Sequence, residues 1–143
     1  MRRSVALALL MAPMCGAMAA QPISGKWLTE DGKGVVEIAP CGAQLCGRIQ
    51  RINGPAGAKD SNNADARLRT RPLLGLPILT GMKDTGAQWE GTIYSPERGK
   101  SFRSIVKRNG DGTLAVKGCM GPFCETQKWK PSRTNANLSV AVR

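Results

Sequence analysis

Two cysteine pairs with the same spacing are the most chemically suggestive residues in this 143-residue chain: Cys41 and Cys46 in CGAQLCG, and Cys119 and Cys124 in CMGPFC. Such pairs can hold a structural zinc through four thiolates, exchange thiols and disulfides, or form two staples. A thioredoxin-like couple needs two residues between its cysteines, and these pairs have four. Four cysteines allow three disulfide connectivities, and spacing alone does not choose among them. The repeated spacing favours Cys41 with Cys46 and Cys119 with Cys124, each closing a small ring around turn residues (Gly42; Gly121 and Pro122). A ring this small restrains little chain and contributes roughly 2 kcal/mol by loop entropy. The staples would shape two turns.

The chain has no histidine, which removes histidine-based triads, histidine metal ligation and imidazole acid–base catalysis. The ten acids are scattered rather than paired for glycoside chemistry, and no glycine-rich phosphate loop occurs. We therefore expect no catalytic residues, no metal site and no cofactor. DSNNAD (60–65) carries oxygen ligands but has Ala64 where an EF-hand needs Asp or Asn, so turn and N-cap duty is the favoured reading of Asp60, Asn63 and Asp65. RLRTR places Arg67, Arg69 and Arg71 two apart beside the apolar PLLGLPIL. They are candidates for gripping an anionic head group at an apolar pocket. The competing reading is a solvated basic loop whose arginines pair with nearby acids.

The N-terminus explains which compartment such cysteines would see. MRRSVALALLMAPMCGAMAAQ has two arginines, an apolar run from Val5 to Met14, and small residues including Ala17-Met18-Ala19. That is the layout of a secretory signal peptide, cut near Ala19 or Ala20, and the run is too short to span a bilayer. Cys15 raises a lipoprotein alternative, against which Met14 is large where small residues are needed. Cleavage removes Arg2 and Arg3 and no acid, lowering the formal charge from +11 to +9. About 123 residues remain, enough for one domain. Export into the periplasm or medium makes four cysteines a disulfide framework and argues against zinc. The basic balance favours contact with polyanions such as lipid head groups, lipopolysaccharide or nucleic acid; the plainer reading is a solvated basic surface with no dedicated partner. With six aromatic residues, a stacking platform for nucleic acid is poorly supported.

The rest of the chain alternates short apolar runs with turn signals every 8 to 12 residues. ISGKWLTE leads through Asp31-Gly32 into GVVEIA. The first cysteine ring leads into CGRIQRI, SPERG joins WEGTIY to KSFRSIVKR, NGDG leads into TLAVKG, and the second ring leads into CETQKWK. WEGTIY sets Trp89, Gly91 and Ile93 against Glu90, Thr92 and Tyr94, as a strand with unlike faces requires. Between 53 and 72 the pattern breaks, and a short helix capped by Asn63 and ended by Pro72 is expected there. LLGLPILTG reads as extended, with Pro77 weighing against a long central strand. Seven or so strands with one short helix in a long loop predict an all-β, antiparallel up-and-down barrel over 21–130, followed by a tail, 131–143, that is loose or an edge strand. Near eight strands, a barrel is filled by its side chains or holds one small ligand.

GKWLTEDGKGVVEIAPCGAQLCGRI, NADARLRTRPLLGLPIL, WEGTIYSPERGKSF and GCMGPFCETQKW, in that order, resemble the bacterial family known as domain of unknown function 2147. The resemblance runs from Gly25 to about Trp129. It implies a small exported protein with a lipocalin-like barrel and no established activity. Gly25-Lys26-Trp27 also resembles the lipocalin G-x-W opening. That implies a structural tryptophan closing the barrel base against a cation from the last strand, here Lys128 or Lys130. Gly25, Trp27 and Trp129 are thus structural.

The functional expectation is a non-catalytic module binding a small apolar or anionic amphipathic ligand, with Arg67, Arg69, Arg71, Trp89 and Tyr94 as candidate contacts. A lumen filled by Trp89, Ile93, Phe102 and Leu114 would defeat it. The alternative is an envelope protein docking through its basic surface on anionic lipid or a protein partner.

Overall fold

Hydrophobic alternation and turn chemistry resolve into eight strands in the computed structural model, which describes residues 12, 13, 16 and 19–133. They are β1 Gly25–Leu28, β2 Gly34–Cys41, β3 Gln44–Ile52, β4 Pro77–Asp84, β5 Trp89–Ser95, β6 Lys100–Arg108, β7 Leu114–Met120 and β8 Phe123–Pro131. Each pairs antiparallel with the next, and β1 returns to β8 through Trp27–Pro131 and Leu28–Lys130, closing an up-and-down barrel. Closure satisfies the backbone groups that an open sheet leaves at its edges. Most of residues 1–20, including Cys15, and the tail from 134 onward lie outside the described residues.

Because β1 has four residues and β8 has nine, the seam that closes the barrel is short. The upper part of β8 pairs with β7 alone, and the outward Lys128 N–H is met by the Glu30 carboxylate at 2.8 Å. The core is the inward row of each strand: Ile38, Leu79, Met82, Val106, Leu114, Val116 and Trp129 are almost fully buried. Both cysteine pairs form the expected disulfides, Cys41–Cys46 at the β2–β3 turn and Cys119–Cys124 at the β7–β8 turn.

Up-and-down winding sorts the connections to two poles. The β2–β3, β4–β5 and β6–β7 turns lie at the base, and the β1–β2, β3–β4, β5–β6 and β7–β8 connections at the mouth. Residues 20–24 strap the base. Trp27 Nε1 donates to the Ile23 carbonyl at 2.9 Å, Trp89 Nε1 to Gln21 at 2.9 Å, and Arg108 to Pro22 at 3.1 Å. Ile23 and Trp27 are buried beneath the lumen, each stabilising the fold by roughly 2 kcal/mol. The cation over Trp27 is Arg108, 5.7 Å from the ring, at the end of β6. The last strand was the expected source, but Lys128 pairs outside with Asp111 at 2.9 Å, and Lys130 is exposed beside Leu28.

Two further expectations need correction. Pro77 does not prevent a long strand: it is the first residue of the eight-residue β4, where a missing N–H is tolerated. The helix of the long loop is one 3-10 turn, Ala66–Leu68, whose N-cap is Asp65 rather than Asn63. A single turn cannot offset helix nucleation by itself. The loop is held by tertiary contacts instead, with Ala58 to Asp60 running against Arg71 to Leu73 through Asp60 N–H to Arg71 O and Leu73 N–H to Ala58 O, both at 3.0 Å.

This loop docks on the β5–β6 turn. Ala64 N–H donates to Gly99 O at 3.0 Å, and Asn62 Nδ2 to Pro96 O at 3.3 Å. Gly99 has φ +65°, and a Cβ there would collide with the Asn62 carbonyl. Gly99→Ala should therefore cost about 2 kcal/mol by combining left-handed strain with overpacking. Urea denaturation measures the loss, and hydrogen exchange should locate it in residues 58–73 with the barrel strands still protected.

Candidate functional site

The mouth opens into a cavity of about 330 Å³ walled by Val36, Ile49, Ile78, Ile93 and Trp129. Below it the lumen is solid with Leu114, Val116, Val106 and Met82. The boundary has a cause in sequence. Gly91, Ser104 and Gly118 stand side by side on β5, β6 and β7, a band of small residues in the inward rows. A Cβ on Gly91 would lie 2.6 Å from Met82 Sδ, and one on Gly118 would lie 3.4 Å from an Ile93 methyl. Met82 and Ile93 thus pack directly against the backbone at Gly91 and Gly118. Leu114 and Trp89 fill or flank the base, Phe102 lies beneath Arg98 at 5.7 Å, and Ile93 lines the cavity.

Charged groups cross the rim. Lys33, from the β1–β2 connection, hydrogen-bonds Glu97 of the β5–β6 turn and lies 4.0 Å from Asp31. All three line the cavity mouth. The Glu97 hydrogen bond raises the Lys33 ammonium above its ordinary range. An exposed pair of this kind is weak and screened by salt, so it restrains the mouth without sealing it.

Beside the mouth lies a buried carboxylate. Asp60 is 1% exposed and accepts from Tyr94 OH at 2.5 Å, Asn63 Nδ2 at 2.7 Å and Arg71 Nε at 2.8 Å. Burial pushes its pKa up, and these three donors outweigh burial and hold it below the usual carboxylate range. Tyr94 is raised by its own burial and by the Asp60 charge, with Arg71 opposing. Arg71 also stacks 5.3 Å above the Tyr94 ring. The four residues rivet the long loop to β5 at the cavity edge.

Of the candidate contacts, Arg71 and Tyr94 are brought together, and Tyr94 lines the cavity. Arg67 is paired with its neighbour Asp65 at 2.8 Å, with its side chain 88% exposed. Arg69 donates through Nε to the Asn63 carbonyl at 2.8 Å. Trp89 stands at the base, pinned to Gln21, at the opposite pole from the mouth. Lys33, Glu97 and the aliphatic wall were absent from the sequence-level candidates. Their signal was faint: Asp31-Gly32-Lys33 and Pro96-Glu97 read as turns, and barrel topology alone sets the two turns across from each other. Among the described residues, no cluster of three Cys, Asp or Glu is arranged to hold a metal ion.

Four large apolar side chains are exposed among the described residues: Leu68, Leu74, Met120 and Phe123. Met120 and Phe123 sit at the disulfide-tied tip of the β7–β8 hairpin, 67% and 80% exposed, on the mouth pole.

A closed eight-strand barrel, plugged by a tryptophan at one pole and open at the other on an apolar cavity, is a lipocalin-like fold. A solved structure described as "Protein HP1028 from the human pathogen Helicobacter pylori belongs to the lipocalin family" shares this fold. Its TM-score is 0.70 at 20% identity, over 85% of this chain and 90% of that one. The chain itself belongs to the bacterial family described as "Uncharacterized protein conserved in bacteria (DUF2147)", which it matches over residues 25–131. No curated protein matches it.

Asp60→Ala would leave Arg71, Asn63 and Tyr94 without their shared acceptor, and we expect a loss of about 3 kcal/mol, measured by urea unfolding. Tyr94→Phe, which removes one donor, should cost about 1 kcal/mol. Because folding lowers the Asp60 pKa, its contribution is complete above the unfolded value of about 3.9 and lost as pH falls through the folded value. Acid melting followed to pH 2 should therefore lose part of its steepness in Asp60→Asn.

Proposed function

We propose that this is an exported, non-catalytic binding module that holds a small apolar or anionic amphipathic ligand in the mouth half of its barrel. The cavity of about 330 Å³ over a filled base carries this reading. It lies at the lower end of ligand-site volumes and is worth about ten waters of liquid volume, so the ligand is small or enters with one end. The apolar end would rest on Ile78, Ile93 and Trp129, and the polar end would meet Tyr94 and Lys33 at the rim. Arg71 serves by holding Tyr94, and Arg67 and Arg69 are the exposed cations available to a projecting head group. Export to the periplasm or medium is supported by the two disulfides and by the signal-peptide layout of residues 1–20. The histidine-free chain and its scattered acids support a binding role over an enzymatic one.

Protein recovered from the periplasm should carry a lipid-sized adduct in native mass spectra that is lost on denaturation. Ile93→Trp, which fills the cavity, should weaken binding of an anilinonaphthalene sulfonate probe at least tenfold, about 1.4 kcal/mol. A bare mass together with probe binding unchanged by Ile93→Trp would refute the lumen as a ligand site.

A second reading, docking on anionic lipid, rests on Met120 and Phe123 at the hairpin tip. Arg98, which pairs with Glu125 at 2.6 Å, and Lys100, Arg103 and Lys117 lie on the adjoining turn and strands, so cationic residues neighbour the apolar tip. Sedimentation with phosphatidylglycerol vesicles should fall steeply with salt, and the double variant Met120→Ser, Phe123→Ser should remain in the supernatant. Equal sedimentation of variant and parent would exclude the tip.

A further inference from the structure

The base of the barrel holds a carboxylate that receives the start of the strap as well as its own turn. The Ala20 backbone N lies 3.1 Å from Asp84 Oδ1 and 3.1 Å from Asp84 Oδ2. Asp84 Oδ1 also accepts from the Gly86 N–H at 2.8 Å, an acceptor role within the β4–β5 turn, and the single Ala20 amide hydrogen is shared by both carboxylate oxygens, whereas an ammonium, with three donors, would satisfy both. Ala20 is buried at 8% exposure, while Ala19, immediately before it, is exposed. The next three carbonyls, of Gln21, Pro22 and Ile23, are each claimed by a side chain of the barrel. The strap's contacts with the barrel therefore include Ala20, the residue that follows Ala17-Met18-Ala19 in sequence.

We infer that the export peptidase cuts between Ala19 and Ala20 and that the new α-ammonium of Ala20 locks onto Asp84, so that processing completes the base of the barrel. The inference rests on the export reading above. Hydrolysis adds one water across the Ala19–Ala20 bond. Its oxygen stays on the Ala19 carboxylate that departs with the signal peptide, and the freed Ala20 amine takes a proton and becomes the Asp84 partner. A cut one residue later would discard the Asp84 contact, and an earlier cut would leave the nitrogen an amide.

The mature chain offers an unusually clean way to see this. It has no histidine, its four cysteines are in disulfides, and Cys15 leaves with the signal peptide. No remaining side-chain type ordinarily titrates between pH 6 and 9, whereas an α-amino group does, near 7.7 to 8.0. The charged groups set against the strap and its partner are Asp84 and Lys83 on β4, Glu90 on β5 and Arg108 on β6. An ammonium paired in the fold has a raised pKa. Its contribution is therefore complete below the unfolded value near 8 and is lost as pH rises through the folded one.

The test begins with the intact mass and N-terminal sequence of protein exported in a bacterial host. A chain starting at Ala20 is expected. An exported chain starting anywhere else overturns this inference and leaves export standing, and an uncut cytoplasmic chain overturns both. The melting temperature of the mature protein should then be compared at pH 6.5 and pH 9.5. We expect a drop of about 3 °C across that interval. It should be absent in Asp84→Asn and in a mature chain carrying one extra glycine before Ala20. A drop of the same size in all three proteins, or in none, overturns the ammonium–Asp84 lock.

Discussion

The structure depends on closing eight strands into a ring when the first strand is nearly too short to do it. β1 offers four residues, and two of them meet β8. An interior of this size takes little more than one layer of side chains, so whatever stands near the seam decides whether the lumen is solid or hollow. At the base, the seam is backed by Trp27, Ile23 and the strap, whose carbonyls tie three barrel side chains together. Above Leu28 there is no such backing. The wall there is β8 leaning on β7, with Glu30 occupying a free N–H, and the lumen widens into the cavity. The plugged pole and the open pole are two outcomes of the same shortage of chain.

The long β3–β4 connection shows how a polar segment can be as fixed as a strand. Its order comes from the one buried carboxylate of Asp60, which would be costly alone and is instead surrounded by an amide, a phenol and a guanidinium. Those donors come from the loop itself and from β5, so loop and barrel are mutually dependent. An open cavity and a rigid rim can coexist because the rigidity resides in this network beside the mouth rather than in side chains filling it.

Much of the fold was legible in sequence because antiparallel hairpins write themselves locally. Alternation in WEGTIY, turn residues in SPERG and NGDG, and the repeated cysteine spacing each involve residues within about ten positions of one another. β4 was obscured because Pro77 weighs against a strand unless its place at the strand's first position is known. The helix of the loop was overdrawn because local capping signals at Asn63 do not report that its side-chain amide is taken by Asp60 and by Tyr94, 31 residues away. The cavity was least legible. Lys33 and Glu97 are 64 residues apart, and the band of Gly91, Ser104 and Gly118 is visible once strand register is known. Arg108 replacing a last-strand cation over Trp27 has the same origin, since a cation–π contact leaves no local trace.

The chain enters the barrel at Ala20 and leaves it past Ser132, whose N–H bonds Lys26 O at 2.8 Å, so both ways out of the fold lie at the plugged pole. Anything joined to either end, whether a resin, a reporter domain or a sensor surface, would hold the molecule by its solid half. The cavity, the Asp60 rivet and the Met120–Phe123 tip would then all face away from the support, presenting a layer of one orientation without engineering of the mouth.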